Sequence, residues 1–343
     1  MPAAPIETKT PIVPDVQLLG LRYSACGKFL AAPACDASVR RWDISGSAPV
    51  ELAKITGFNG WVSSIAFHPD KSRMFASDSW GRVSCWNHND KEAKLLWDIP
   101  NAHEGWARKI AIHPDGSRLA TVGRDGFARI WATKDGAKLA EIATKDDLLA
   151  VAWHPDGKLL VTGNLHGGIT AWDISTKLSA KSFDAKEMFL YDRIQDVGGV
   201  RCLAFLDDGK TLIAGGAKPV GGGFVQAFPL LFAFEWATGK RTATWQGEAD
   251  TLGYVLDCKP HTAGQIIAVT SGQPGSGKLL FWKLGEAKPI FEVTKPNCHG
   301  VDIHPDGKRL AIVTTLGSNM NGKLKGKEYT GSHSPIVFWT ITN

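Results

Sequence analysis

The sequence predicts an all-β fold of seven similar units closed into a ring. Three observations predict it: a turn motif that recurs along the chain, a tryptophan at a similar place after each copy, and an excess of glycine. Four segments read apolar–Ala/Asp–apolar–His-Pro-Asp: IAFHPD from Ile65, IAIHPDG from Ile110, VAWHPDG from Val151 and VDIHPDG from Val301. Three weaker copies fill the gaps: LRYSACG from Leu21, LAFLDDG from Leu203 and LDCKPHTAG from Leu256. Each is a short apolar or alternating run ending in turn residues, the pattern of a strand entering a tight turn. Gly contributes 37 of 343 residues, above the usual ~7%.

A second apolar run and then a tryptophan follow each copy: Trp42, Trp86, Trp131, Trp172, Trp236, Trp282 and Trp339. Ala25 to Trp42, Pro69 to Trp86, Pro114 to Trp131 and Pro155 to Trp172 are each 17 residues. The later units are longer: Asp207 to Trp236 is 29, Pro260 to Trp282 is 22 and Pro305 to Trp339 is 34. The extra residues are expected between the second and third strands of their units, at 217–227, 271–277 and 317–334.

The run LATVGRDGFARIW in the third unit resembles the strand-turn-strand signature of the WD-repeat β-propeller family. LAAPACDASVRRWD and LVTGNLHGGITAWD, in units one and four, resemble it and keep the Trp-Asp pair. The likeness covers nearly the whole chain and is strongest over the first four units. It implies a seven-bladed propeller of four-stranded antiparallel blades, and the Trp spacings of 44, 45 and 41 fit a period of about 40–45 residues. Blades are expected near 15–58, 59–103, 104–145, 146–185, 197–249, 250–296 and 297–343, in one domain. Only four residues follow Trp339, so the last blade lacks an outer strand. Residues 8–13 are expected to supply it and close the ring, because an unpaired outer edge invites aggregation. Pro11 and Pro14 are tolerable on such a strand.

Charge and composition bound the function. Hydrophobic residues make up 43% and charged residues 21%, with a formal net charge of +5. That is an ordinary packed globule, too mildly basic for a nucleic-acid binder. The most apolar stretch, Phe224 to Ala237, has 14 residues, short of the ~20 of a membrane span. The expectation is a soluble, cytoplasmic chain, monomeric on its own. Six well-separated cysteines without a CxxC spacing read as reduced thiols, not a zinc site or disulfide framework.

Few residues ask for chemistry. The resemblance implies a His–Ser/Thr–Asp–Trp hydrogen-bond network in blade three, from His103, Thr121, Asp125 and Trp131, as a structural tetrad. Asp36 is the other matching aspartate. Trp80 and His166 stand there in blades two and four, which are expected to be held more by packing than by polar networks. His68, His113, His154 and His304 recur once per blade, so a ring separates them too widely to share one metal; they read as turn-stabilising residues. GQPGSGKL, Gly272 to Leu279, matches most of a phosphate-binding loop. It lacks the final Ser or Thr and lies between two strands, where that loop needs a helix after it. It reads as a hairpin loop. No catalytic residues, metal or cofactor are assigned.

The expected function is a non-enzymatic protein or peptide scaffold, working from the face that carries the blade 5–7 insertions. The resemblance places the starts of the inner strands at the channel rim on that face. The candidate partner-binding residues are Trp61, Trp80, Trp106, Arg108, Arg124, Arg201, Tyr254, His299, Lys323, Lys325 and Tyr329. Aromatic and arginine side chains dominate binding hot spots, and the basic ones favour an acidic peptide. The alternatives are an enzyme or small-ligand site at the channel mouth and, third, nucleic-acid binding, against which the sequence shows no aromatic-basic stripe. The apolar connector Lys186 to Gly199 is expected to pack on neighbouring loops.

Overall fold

The structure is a computed structural model. It describes residues 4–8, 10–206, 209–221, 226–261, 264–315, 323–325, 328–330 and 333–341, with the side chains of 323–325 and 328–330 left aside. Seven four-stranded antiparallel sheets form the blades. Blade three shows the pattern: Ala107–Ile112, Arg118–Gly123, Phe127–Ala132 and Lys138–Ala143, each hydrogen-bonded to the next. Both faces of a blade are covered by its neighbours, so the middle strands read as near-continuous apolar runs such as Leu119–Val122. Seven buried clusters result, one between each pair of adjacent blades. Among the described residues no helix is long and apolar enough to cross a membrane.

Residues near the N-terminus complete blade seven. The strand Ile6–Glu7 pairs with Thr340 and Trp339 of the strand Ile336–Thr340. It begins earlier than the expected 8–13. Thr8 N–H still donates to Phe338 O at 2.8 Å, but beyond it only an isolated bridge, Ile12 to Ile336, continues the pairing. Pro11 has no N–H to give the ladder. The first and last blades then share the cluster of Leu18, Leu21, Leu30, Val313 and Ile336.

Blade five departs from the expected pattern. The recurring tryptophans pair with Leu30, Met74, Leu119, Leu160, Ile266 and Leu310 on their second strands. In blade five that place, opposite Leu212, is held by Phe234 and not by Trp236. Trp236 follows the strand and stacks on His154 at 4.6 Å and on Phe183 at 5.4 Å. Its extra residues lengthen the second and third strands into a hairpin, Thr211–Gly221 with Gln226–Glu235. The connector before it folds into a second hairpin, Phe189–Asp192 with Gln195–Gly198. Met188 is buried between blades four and five, while Tyr191 and Ile194 at the tip are exposed.

The His-Pro-Asp turns do more than close their own strands. His68, His113 and His154 each hold the carbonyl oxygen of a glycine in the next blade's turn: Gly116 at 2.6 Å, Gly157 at 2.9 Å and Gly209 at 3.0 Å. In each, Nδ1 accepts a backbone N–H two residues on where the bond is formed, as from Asp70 and Asp115. Nε2–H is therefore the donor to the glycine carbonyl.

Candidate functional site

The opposite end of the strands carries the candidate site. There the residue before each inner strand pairs with the hairpin joining the second and third strands. Ser79 N–H donates to Trp61 O, Arg124 N–H to Trp106 O and Leu165 N–H to Asp147 O, each at 2.9 Å. These backbone pairs bring Trp61, Trp80, Trp106, Arg108 and Arg124 together on one face of blades two and three.

The indoles form a patch. Trp61 and Trp106 meet edge to face at 5.9 Å, and the Arg108 guanidinium lies 4.9 Å from the Trp106 ring centre. Trp80 is 67% exposed and Trp61 48% exposed. Gly60 makes room for Trp80, since a Cβ there would come within 2.5 Å of its Cδ1. Trp80 also lines a groove of about 600 Å³ that runs past Ala102, Gly105 and Glu141.

The basic candidates are less free than the sequence implies. Arg108 is paired with Asp147 at 2.7 Å. Arg201 is half-buried, with its guanidinium 5.0 Å from the Tyr254 ring centre; burial lowers its pKa and raises that of Tyr254. His299 bonds Thr315 Oγ1 at 2.9 Å, and burial pulls its pKa down to about 4. Arg124 is exposed. Lys323–Lys325 and Glu328–Thr330 pair as a small hairpin; the side chains of Lys323, Lys325 and Tyr329 lie outside the described ones.

Blade three holds the tetrad as one network. His103 Nδ1 meets Asp125 at 3.0 Å, His103 Nε2 meets Thr121 Oγ1 at 2.7 Å, and Trp131 Nε1–H donates to Thr121 Oγ1 at 2.9 Å. The sequence reading missed a fifth member. Arg129 donates to Asp125 at 2.6 Å and to Glu141 at 2.6 Å. Burial pushes the Asp125 carboxyl up, but His103 and Arg129 outweigh it and hold it well below the usual range.

Blades two and four carry polar bonds of their own where the tetrad aspartate is absent. Asp78 accepts the N–H groups of Trp80 at 2.9 Å, Arg82 at 3.0 Å and Asn59 at 3.1 Å. In blade four, Asn164 accepts from Gly168 N–H at 2.6 Å and donates to Asp146 at 2.7 Å. In blade two the acceptor sits two residues before the expected place, and in blade four it is an amide, so the motif conceals both. The loop at Gly272 lies between antiparallel strands Gln265–Ser271 and Lys278–Lys283. Lys278 is paired with Glu292 at 2.7 Å, and buried Asn297 holds the loop by its amide to Gly272 O and Gly275 N–H.

The first strands of blades two, three, four and six each carry a β-bulge. A bulge adds one residue opposite a partner and re-aims the side chains beside it. In blade three the extra residue is Arg108, at the rim, and the next one, Lys109, lines the central channel. In blade six Asp257 follows the bulge in the same way.

A ring of seven four-stranded blades, six of them with the tryptophan on the third strand, defines a repeat propeller. The family model described as "WD domain, G-beta repeat" matches residues 50–87, 95–132 and 138–173. Each match starts on the outer strand of one blade and ends on the third strand of the next. Three WD repeats thus match the family model, and the fold is the seven-bladed propeller that WD-repeat proteins share. Telomerase protein component 1 of Rattus norvegicus is 25% identical over 264 residues, 76% of this chain and 9% of that protein. Target of rapamycin complex subunit wat1 of Schizosaccharomyces pombe is 28% identical over 160 residues, 46% of this chain and 49% of that one. Nuclear distribution protein PAC1-1 of Uncinocarpus reesii is 31% identical over 81 residues, 24% of this chain and 17% of that one. The chain thus spans from under a tenth to about half the length of these relatives.

Proposed function

We propose that the protein is a non-enzymatic interaction scaffold that takes an extended segment of a partner protein across blades two and three. The carrying observation is the exposure of Trp61 and Trp80 beside Trp106 on rigid strand ends. Indoles displayed this way supply large contact area at little conformational cost, and tryptophan and arginine are enriched among hot spots. Two of the relatives are, by their printed names, components of assemblies: a telomerase component and a complex subunit. That is consistent with a scaffold. Arg124 is placed to meet one acidic group, while Arg108 is already satisfied by Asp147.

The test is a photo-crosslinking residue at position 80, compared with one at exposed Lys158 on the opposite face, in lysate of the source cells. A protein adduct specific to position 80 and lost in Trp61→Ala is the expected result. Equal labelling from both positions overturns the reading. Adducts that are nucleic acid and vanish steeply with salt replace it with the third alternative.

A further inference from the structure

The central channel holds a cavity of about 360 Å³, at the lower end of the range for small-molecule sites. Four cations line it, Arg22, Lys109, Arg201 and Lys259, against one carboxylate, Asp257. Asp302 pairs with Lys259 at 3.2 Å, so the balance is four cations to two carboxylates.

Both carboxylates are already engaged. Asp257 takes Arg22 at 2.8 Å and the N–H groups of Cys258 at 3.1 Å and Val301 at 3.3 Å. Asp302 takes Lys259 and the N–H of Tyr23 at 2.8 Å. Lys109 and Arg201 pair with neither carboxylate, although the Arg201 guanidinium also meets the Tyr254 side chain. Lys109 makes no hydrogen bond or ion pair among the described residues, although its charge feels Asp257 from a distance. The buried Arg201 Nε has no hydrogen-bond partner there either. Asp147, which also acts on Arg201 at a distance, is held by Arg108. Ser64, lining the same cavity, accepts Ile110 N–H at 3.3 Å and keeps its own proton to donate.

We propose that this cavity is a binding site for one phosphate dianion, free or as the head of a small phosphate ester, with Lys109 and Arg201 as its charged ligands and Ser64 as a neutral donor. The excess of two cations matches a dianion. Low-dielectric walls lined by one sign of charge focus the field on such an ion, and charge-assisted hydrogen bonds are the strong ones. Burial lowers the Lys109 pKa, a cost that a bound anion removes.

The experiment is thermal shift and titration calorimetry on the full chain with inorganic phosphate, glycerol phosphate and acetate at equal ionic strength. Inorganic phosphate or glycerol phosphate is expected to raise the Tm of the wild type more than acetate does. Lys109→Met and Arg201→Gln are each expected to weaken that binding about tenfold or more, the scale of one charged hydrogen bond. Lys134→Met, at an exposed loop position, is expected to leave it unchanged. Because Lys109→Met removes a buried charge, its unliganded Tm is expected to be no lower than the wild type's, which separates lost binding from lost folding. Tighter binding of glycerol phosphate supports an ester as the occupant, and equal binding supports the free ion. The same shift in Lys109→Met as in wild type overturns the proposal, as does absence of a shift with either phosphate.

Discussion

His304 in the last blade donates from Nε2 to the carbonyl oxygen of Gly27 in the first, 2.9 Å away. The bond repeats the staple seen from blades two, three and four, and here it closes the ring. Gly27 sits at φ +72°, and a Cβ there would come 2.5 Å from His304 Nε2. His304→Ala should therefore cost about 1–2 kcal/mol, the worth of a bond whose loss leaves a buried acceptor unmet. Gly27→Ala should cost more, because it adds positive-φ strain and displaces the imidazole. In a double-mutant cycle the two should be clearly non-additive. Additive losses in thermal denaturation would mean that the staple carries no coupling.

The second seal is the strand Ile6–Glu7 with the Ile12 bridge. Removing residues 1–13 would strip Ile336–Thr340 of its outer neighbour and Lys295 of its partner Glu7, 2.5 Å away. The exposed edge is then a template for pairing between chains. The truncated protein should melt several degrees lower and scatter light on heating. An unchanged melting temperature would show that closure depends on the side-chain cluster around Leu18 and Ile336 alone.

Much of this was legible because the repeat writes the same physics several times. The turn histidine and the tryptophan mark strand, turn and strand in blades two to four, with a glycine closing the turn in blades three and four. What the repeat could not reveal was what its members touch across blades. His304 reads as a turn residue locally, and its bond to Gly27 spans 277 residues. Trp236 was misplaced by spacing, since Phe234 serves the same packing need two residues earlier. The rim indoles were legible from their offset to the turn. The channel charges were not: a bulge at Arg108 breaks the period-2 alternation from which facing is read, so Lys109 turns to the channel beside a rim residue.

Asp125 anchors blade three, accepting from His103, Arg129 and the N–H groups of Glu104 and Phe127. Asp125→Ala should cost about 3–5 kcal/mol, as breaking a buried charged network does. Asp36→Ala in blade one, where the carboxylate is more exposed, should cost about 1 kcal/mol or less. The Asp125 pKa is depressed in the folded state, so its stabilisation is complete above the ordinary aspartate value of about 4 and fades as pH falls below it. The gap between wild type and Asp125→Asn in denaturation midpoints should narrow over that acid range. A gap that stays constant would remove ionisation from the account.

Two histidines set a second pH dependence with its own window. His88 is packed between Phe29 and Phe67, and burial, with Arg41 nearby, lowers its pKa to about 4. Burial alone brings His299 to about 4. Between about pH 4 and 6.5 the unfolded chain binds these protons and the folded chain does not, so stability rises with pH. Each contributes at most about 1.4 kcal/mol per pH unit. His299→Gln and His88→Leu should each flatten the slope of Tm between pH 4.5 and 6.5. An unaltered slope in both variants would assign it to other groups.

Lys71 stands where the sister turns have glycine. Its φ is +68°, matching +77° at Gly116, +73° at Gly157 and +69° at Gly307. A side chain in this left-handed region costs about 1 kcal/mol that glycine does not. Blade one carries Ser24 at the place of the staple histidine, so among the described residues no imidazole reaches over from that side to crowd the turn. Lys71→Gly should therefore stabilise the protein by up to about 1 kcal/mol, less the extra freedom that glycine gives the unfolded chain. The same reasoning gives the reverse sign at Gly157, where a Cβ would come 2.5 Å from His113 Nε2. Gly157→Lys should destabilise by more than Lys71→Gly gains, and equal and opposite shifts in denaturation midpoint would mean that only backbone strain, and not the inter-blade contact, separates the two turns.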